Sequence, residues 1–106
     1  MRAHRLRTLL GLILYHLQKA LRSLEIKRFG LIVEKYPKSP AAQDAGNKIL
    51  ESLNKAKDYE NVESWARRLL KVPVFQNKPD QERLGKLVID AGMKAAGLPA
   101  LIARAG

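Results

Sequence analysis

The chain has 106 residues, with twenty Lys and Arg against ten Asp and Glu for a formal charge of +10, and it contains no cysteine. That length holds one domain with a modest core, and the lack of thiols excludes a disulfide framework, a thiolate zinc site and a cysteine nucleophile. A composition 46% apolar but only 6% aromatic, rich in Leu, Ala, Lys and Arg, is that of a globular chain and favours helices over sheets.

The basic excess sits at the two ends. Residues 1–28 hold seven Lys and Arg against one acid, Glu25; residues 29–66 hold five against six; residues 67–106 hold eight against three. Basic ends attract nucleic acid, anionic lipid or an acidic protein surface, and charge alone does not choose among these.

The first element opens with Arg2, Arg5 and Arg7 and runs through an apolar stretch to Leu17, which resembles a secretory signal in outline. No small-x-small cleavage site follows, since the next residues are Gln18, Lys19, Ala20, Leu21 and Arg22, and the stretch is too short to span a bilayer. Leu6, Leu10, Ile13, Leu17, Ala20 and Leu24 step by 4, 3, 4, 3 and 4, the spacing of an amphipathic helix packed on a neighbour. A targeting segment and a membrane-surface helix are the two other readings of residues 1–24. The seam goes on through Ile26, Phe29, Val33 and Tyr36. Only Ser23 offers an internal cap, so residues 4–36 form one long helix or two meeting near 20–25, and ordinary helix lengths favour two.

Tyr36-Pro37-Lys38-Ser39-Pro40 is the strongest punctuation. Pro37 disfavours helical geometry at Tyr36, Ser39 is a cap, and Pro40 fits the first position of a new helix. That helix carries Ala42, Ala45, Ile49, Leu50, Leu53 and Ala56 on one face and ends near Lys57. Asp58 reads as the next cap, with Glu60 and Glu63 near the first turn and Arg67, Arg68 and Lys71 in the last, both matching the helix dipole. Val62, Trp65, Ala66, Leu69 and Leu70 form its buried stripe, and Pro73 terminates it. Val74 and Phe75 in the connector 72–79 are expected to fold back into the core. Pro79 opens a last long helix with Leu84, Leu87, Val88 and Ala91 inward, closed by Gly97 and Pro99, and residues 98–106 read as a fraying tail.

Residues 28–75 resemble the tetratricopeptide-like (TPR-like) repeats of bacterial cell-envelope proteins. The resemblance rests on Phe29, Val33 to Ala42 with their Tyr-Pro-x-Ser corner, Leu50, Leu53, Lys57-Asp58-Tyr59, Trp65-Ala66, Leu69-Leu70 and Pro73. Tyr36 to Pro73 is 37 steps, near the repeat length of about 34. Two departures stand out: Leu50 and Glu51 occupy the place of the glycine usual in the first repeat helix, and Val62 the place of a small alanine. The resemblance implies an all-α fold of antiparallel helical hairpins in a short α-solenoid, with about four to five helices in one domain, 1–106. Only one repeat is complete, whereas such arrays need about three; the chain is therefore expected to be a piece of a longer array or to finish its core by dimerising. The resemblance also implies the bacterial cell envelope or periplasm; without it the cytoplasm is the default.

Site chemistry is sparse. His4 and His16 are twelve residues apart, without the spacing of a helical zinc pair. Asp58, Glu60 and Glu63 lie among Lys55, Lys57 and Arg67 and read as helix capping and solvated pairs, while Ser52 and Ser64 have no base partner in the sequence. No glycine-rich phosphate loop exists, so no catalytic, cofactor or metal residues are expected. Trp65 and Tyr59 read as core before they read as stacking platforms. Arg2, Arg5 and Arg7, followed by Arg67 and Arg68, are the candidate electrostatic contacts, with Lys48 and Lys55 as further exposed bases. The leading expectation is a non-catalytic scaffold that binds a peptide or helix of a partner protein or a second copy; the alternatives are a basic nucleic-acid-binding domain and a protein held on a membrane surface by residues 1–24.

Overall fold

The computed structural model describes residues 2–97, with side chains from Arg5 onward, and every regular element among them is helical. The order is α1 (Arg2–Lys35), α2 (Pro40–Lys55), α3 (Tyr59–Leu69), a single 3₁₀ turn (Pro73–Phe75) and α4 (Lys78–Ala95). Each helix packs on its neighbour in sequence: α1 on α2, α2 on α3, α3 on α4. The four α-helices agree with the lower end of the expected count. Pro99 and the tail 98–106 lie outside the described residues.

The preference for two helices before Pro37 is corrected: α1 is one helix of 34 residues, about 51 Å long. The physical reason is the absence of any breaker. Gln18 to Lys27 are good helix formers apart from Ser23, whose side chain stands exposed and caps nothing. The apolar seam is not continuous either. Leu24 to Ile26 is a step of two, which swings the stripe about 200° around the axis. Ile26, Phe29, Gly30, Ile32 and Val33 turn into the protein, while Leu6, Leu10, Ile13, Leu17 and Leu24 face away from it and stay exposed. Among the described residues nothing in this chain covers the N-terminal seam. One arm projecting beyond the domain explains a radius of gyration of 17.0 Å, against about 13 Å for a compact chain of this length.

The corner at 36–40 forms as its residues dictate. Ser39 Oγ accepts from the Ala42 amide at 3.2 Å and donates to the Tyr36 carbonyl at 2.7 Å, and Pro40 opens α2. Ala42, Ala45, Ile49, Leu50 and Leu53 are buried as their spacing requires, and Ala56 is half-buried. α2 ends two residues before Lys57, which adopts φ +57°. The Asp58 amide donates to Leu53 O at 3.0 Å and the Lys57 amide to Asn54 O at 3.0 Å, the paired bonds of a Schellman stop whose left-handed position favours glycine. Lys57→Gly should therefore raise stability by about 1 kcal/mol, read as a shifted urea midpoint with unchanged slope; an unchanged or lower midpoint would show that the lysine is unstrained there.

Asp58 does precede α3, but its carboxylate takes the Asn61 side-chain amide at 2.7 Å and not a backbone amide. Pro73 opens the 3₁₀ turn, three residues after α3 has passed its C-cap at Leu70. The cap of α4 is Asn77, whose Oδ1 accepts from the Asp80 amide at 2.9 Å. The core gathers Val33, Ala45, Ile49, Leu50, Leu53, Val62, Ala66, Leu69, Phe75, Leu84, Val88 and Ala91, with Trp65, Leu70, Val74 and Leu87 half-buried against it.

Candidate functional site

Two surfaces of α1 stand out, on opposite sides of the same helix. The first is a notch where α1 rises past the turn between α2 and α3. It is a cleft of about 270 Å³ with Ile26, Leu53 and Trp65 as its apolar lining and Lys19, Arg22, Lys27, Asp58 and Asn61 among its polar ones. α1 supplies the basic residues because its inward face turns polar above Ile26. α2 supplies Leu53 from its last turn, and α3 supplies Asn61 and Trp65 from successive turns. Three bases against one acid make the notch electropositive, with apolar contact available at its base. A second shallow cleft on the same part of α1 is lined by Tyr15, Gln18, Leu21, Arg22 and Glu25 with Ser52 and Lys55 of α2 and its C-cap Ala56, so Arg22 belongs to both.

Trp65 is fixed where the notch meets the core. A Cβ at Gly30 would lie 3.2 Å from Trp65 Cη2, so the ring lies directly on the α1 backbone. Its other contact is the Arg68 guanidinium, centred 4.5 Å from the ring, a cation–π distance. Arg68 also reaches Glu34 of α1 at 2.6 Å. Sequence spacing alone hides this arrangement, because Gly30, Glu34, Trp65 and Arg68 come from helices that are not consecutive. The one local signal was Gly30 one step after Phe29, on an inward face.

The second surface is the outer face of the arm. Leu6, Leu9, Leu10, Ile13, Leu14, Leu17, Leu21 and Leu24 are each 52–60% exposed, and no described element covers them. Arg5 and Arg7 stand exposed on the same arm; Arg2 belongs to the helix, but its side chain is outside the described set, as is that of His4. His16 is exposed and meets Tyr15 edge-on at 5.6 Å.

The arginine candidates do not form one patch. Arg67 pairs with Glu63 at 3.0 Å and Arg68 with Glu34, so both are engaged within the fold. Glu34 is 27 residues from Arg7 on one helix, which separates the two groups by about 40 Å. Lys48 pairs with Asp44 at 3.1 Å and lies 5.7 Å from the Phe29 ring, and Lys55 pairs with Glu51 at 3.4 Å. Tyr59 carries the Lys94 ammonium 5.1 Å from its ring, so neither it nor Trp65 presents two free faces to a base.

Among titratable groups, Asp80 ties the start of α4 to α2. It accepts from Asn77 at 2.7 Å, Gln43 at 3.1 Å and Arg83 at 3.2 Å, and the Asn77 bond above all holds its carboxyl below the ordinary value. The hydrogen bond to Asp90 raises Lys94. Among the described residues no three His, Asp or Glu side chains come together as a metal site, and no helix is long and apolar enough to cross a membrane. No family model, curated protein or solved structure matches the chain.

Proposed function

We propose that this chain is a non-catalytic protein-interaction scaffold of the tetratricopeptide kind, taking a peptide or helix of a partner protein in the notch between α1, the end of α2 and the start of α3. The observation that carries the reading is the notch itself, which combines an apolar base of Ile26, Leu53 and Trp65 with a rim dominated by Lys19, Arg22 and Lys27. Apolar contact with a charged rim is the ordinary makeup of a peptide-binding groove. The rim favours an acidic segment carrying one or two large apolar side chains. The sequential packing of α1 to α4 and the Pro-bearing corner after α1 support reading the helices as successive hairpins of a short solenoid. The nucleic-acid alternative draws less support, since Arg67 and Arg68 are committed to Glu63 and Glu34.

Selection from a displayed random-peptide library against the full chain tests this. Acidic-apolar peptides should be enriched, should quench or shift Trp65 emission, and should lose roughly tenfold in affinity with Arg22→Glu and Lys27→Glu, the loss expected when rim charges are reversed. Enriched peptides indifferent to both substitutions, or no enrichment at all, would remove the notch as the binding site.

A further inference from the structure

We infer that the outer face of α1 between Leu6 and Leu24 is a membrane-surface contact that lies along an anionic lipid interface. The inference concerns the side of α1 away from the notch and stands or falls separately from the peptide-binding reading.

The geometry begins with the helical wheel. At 3.6 residues per turn, Leu6, Leu9, Leu10, Ile13, Leu14, Leu17, Ala20, Leu21 and Leu24 fall within a sector of about 140° that no polar residue interrupts. Arg7 stands at one edge with Glu25 about five turns below it, Arg5 lies beyond the other edge, and Arg28 closes the sector at its lower end, one turn below Leu24. The residues that seat α1 on the protein, Ile26, Phe29, Gly30 and Val33, are centred about 180° from this sector. The domain therefore stands on the water side when the apolar face meets a surface, and the face can be applied along its length without the domain intervening.

Charge and width decide the occupant. The first 24 residues carry five bases and no acid, with Lys19 and Arg22 on the notch side; Glu25 then stands at the same edge as Arg7, followed by Lys27 and Arg28. A second copy would set two such arms side by side, with bases repelling bases and Glu25 the single acid on each to offset them. An anionic lipid surface attracts Arg5, Arg7 and Arg28, the bases that border the apolar face. The seam of a helix pair is also narrower, built from two positions in seven, whereas nine of the nineteen positions from Leu6 to Leu24 lie in this sector. A broad apolar face flanked by arginines, on a helix that is not long and apolar enough to cross, is the pattern of an interfacial helix.

The test is co-sedimentation of the full chain with phosphatidylcholine vesicles with and without phosphatidylserine. Binding is expected to the mixed vesicles, weaker by roughly tenfold or more without phosphatidylserine or in high salt. Leu10→Glu with Leu17→Glu should abolish it, and urea unfolding followed through Trp65 should stay unchanged, since both leucines lie outside the packed domain. The chain has no cysteine, so single Ile13→Cys and Gln18→Cys variants can each carry an environment-sensitive dye. Its emission should shift to the blue with vesicles at position 13 and not at 18. Equal shifts at both positions, equal binding to neutral vesicles, or no binding to either kind would overturn the inference. So would a vesicle-free, salt-independent dimer that Leu10→Glu dissolves, which would assign the face to a second copy.

Discussion

Phe75→Ala should unfold the domain or leave it barely folded at room temperature. The ring is fully buried and is the bulkiest of the fully buried side chains. It meets α2 at Gly46 and shares that contact with Leu69 of α3. The turn that carries it is held from several sides. Val74 N donates to Pro37 O at 3.1 Å, and Gln81 Nε2 from α4 donates to Phe75 O at 2.9 Å and Leu70 O at 3.1 Å. A backbone pinned in this way does not collapse easily into the space a phenyl leaves, which puts the loss at the upper part of the usual range of about 3–5 kcal/mol. A folded unit of about seventy residues has roughly 4–10 kcal/mol in total. Urea unfolding followed by far-UV circular dichroism and Trp65 emission should lose its cooperative transition or shift it close to zero denaturant. A loss below about 1.5 kcal/mol would mean that the ring does not join α2 to α3 as described.

What the sequence disclosed follows from what local chemistry can encode. The corner at Pro37, Ser39 and Pro40 is written in three adjacent residues, each with its own steric or hydrogen-bonding reason, and it forms as expected. The inward stripes of α2, α3 and α4 were likewise legible, because a helix with one wet side sorts its residues by period. α1 was harder. Its stripe from Leu6 to Leu24 has the spacing of a packed seam, but spacing shows only that a face is apolar and not what covers it. The two-residue step to Ile26 was visible and decisive, since it puts the arm's face and the domain's face on opposite sides of one helix. Asn77 is equally visible two residues before Pro79, and the asparagine, not the proline, supplies the cap of α4. The notch needed more than sequence, because Arg22, Leu53 and Trp65 meet only after α1 has crossed the α2–α3 turn.

Gly46→Val should cost about 3 kcal/mol, although the substitution replaces a poor helix former with a better one in the middle of a helix. A Cβ at Gly46 would lie 2.9 Å from Phe75 Cζ, closer than real Cβ atoms approach, and 3.0 Å from both Leu69 Cδ2 and Phe75 Cε2, tighter than most. Phe75 and Leu69 are both fully buried, and neither can swing its end into solvent to make room. Overpacking of this kind costs about 1–3 kcal/mol, and the two further methyl groups of valine take it to the top of that range. Gly46 is thus a point where Phe75 and Leu69 lie directly against the α2 backbone. Gly85 supplies the control: it is also inside a helix, and nothing lies within 4 Å of the position its Cβ would take. Gly85→Ala should stabilise the domain by about 0.5–1 kcal/mol through helix propensity alone, while Gly46→Ala should destabilise it by about 1 kcal/mol once the same gain is set against the clash. Urea midpoints of the three variants measured side by side separate the explanations. Opposite signs for the two alanine variants require close packing at Gly46, whereas a shared gain in stability would reduce both glycines to weak helix formers and leave the contact with Phe75 unsupported.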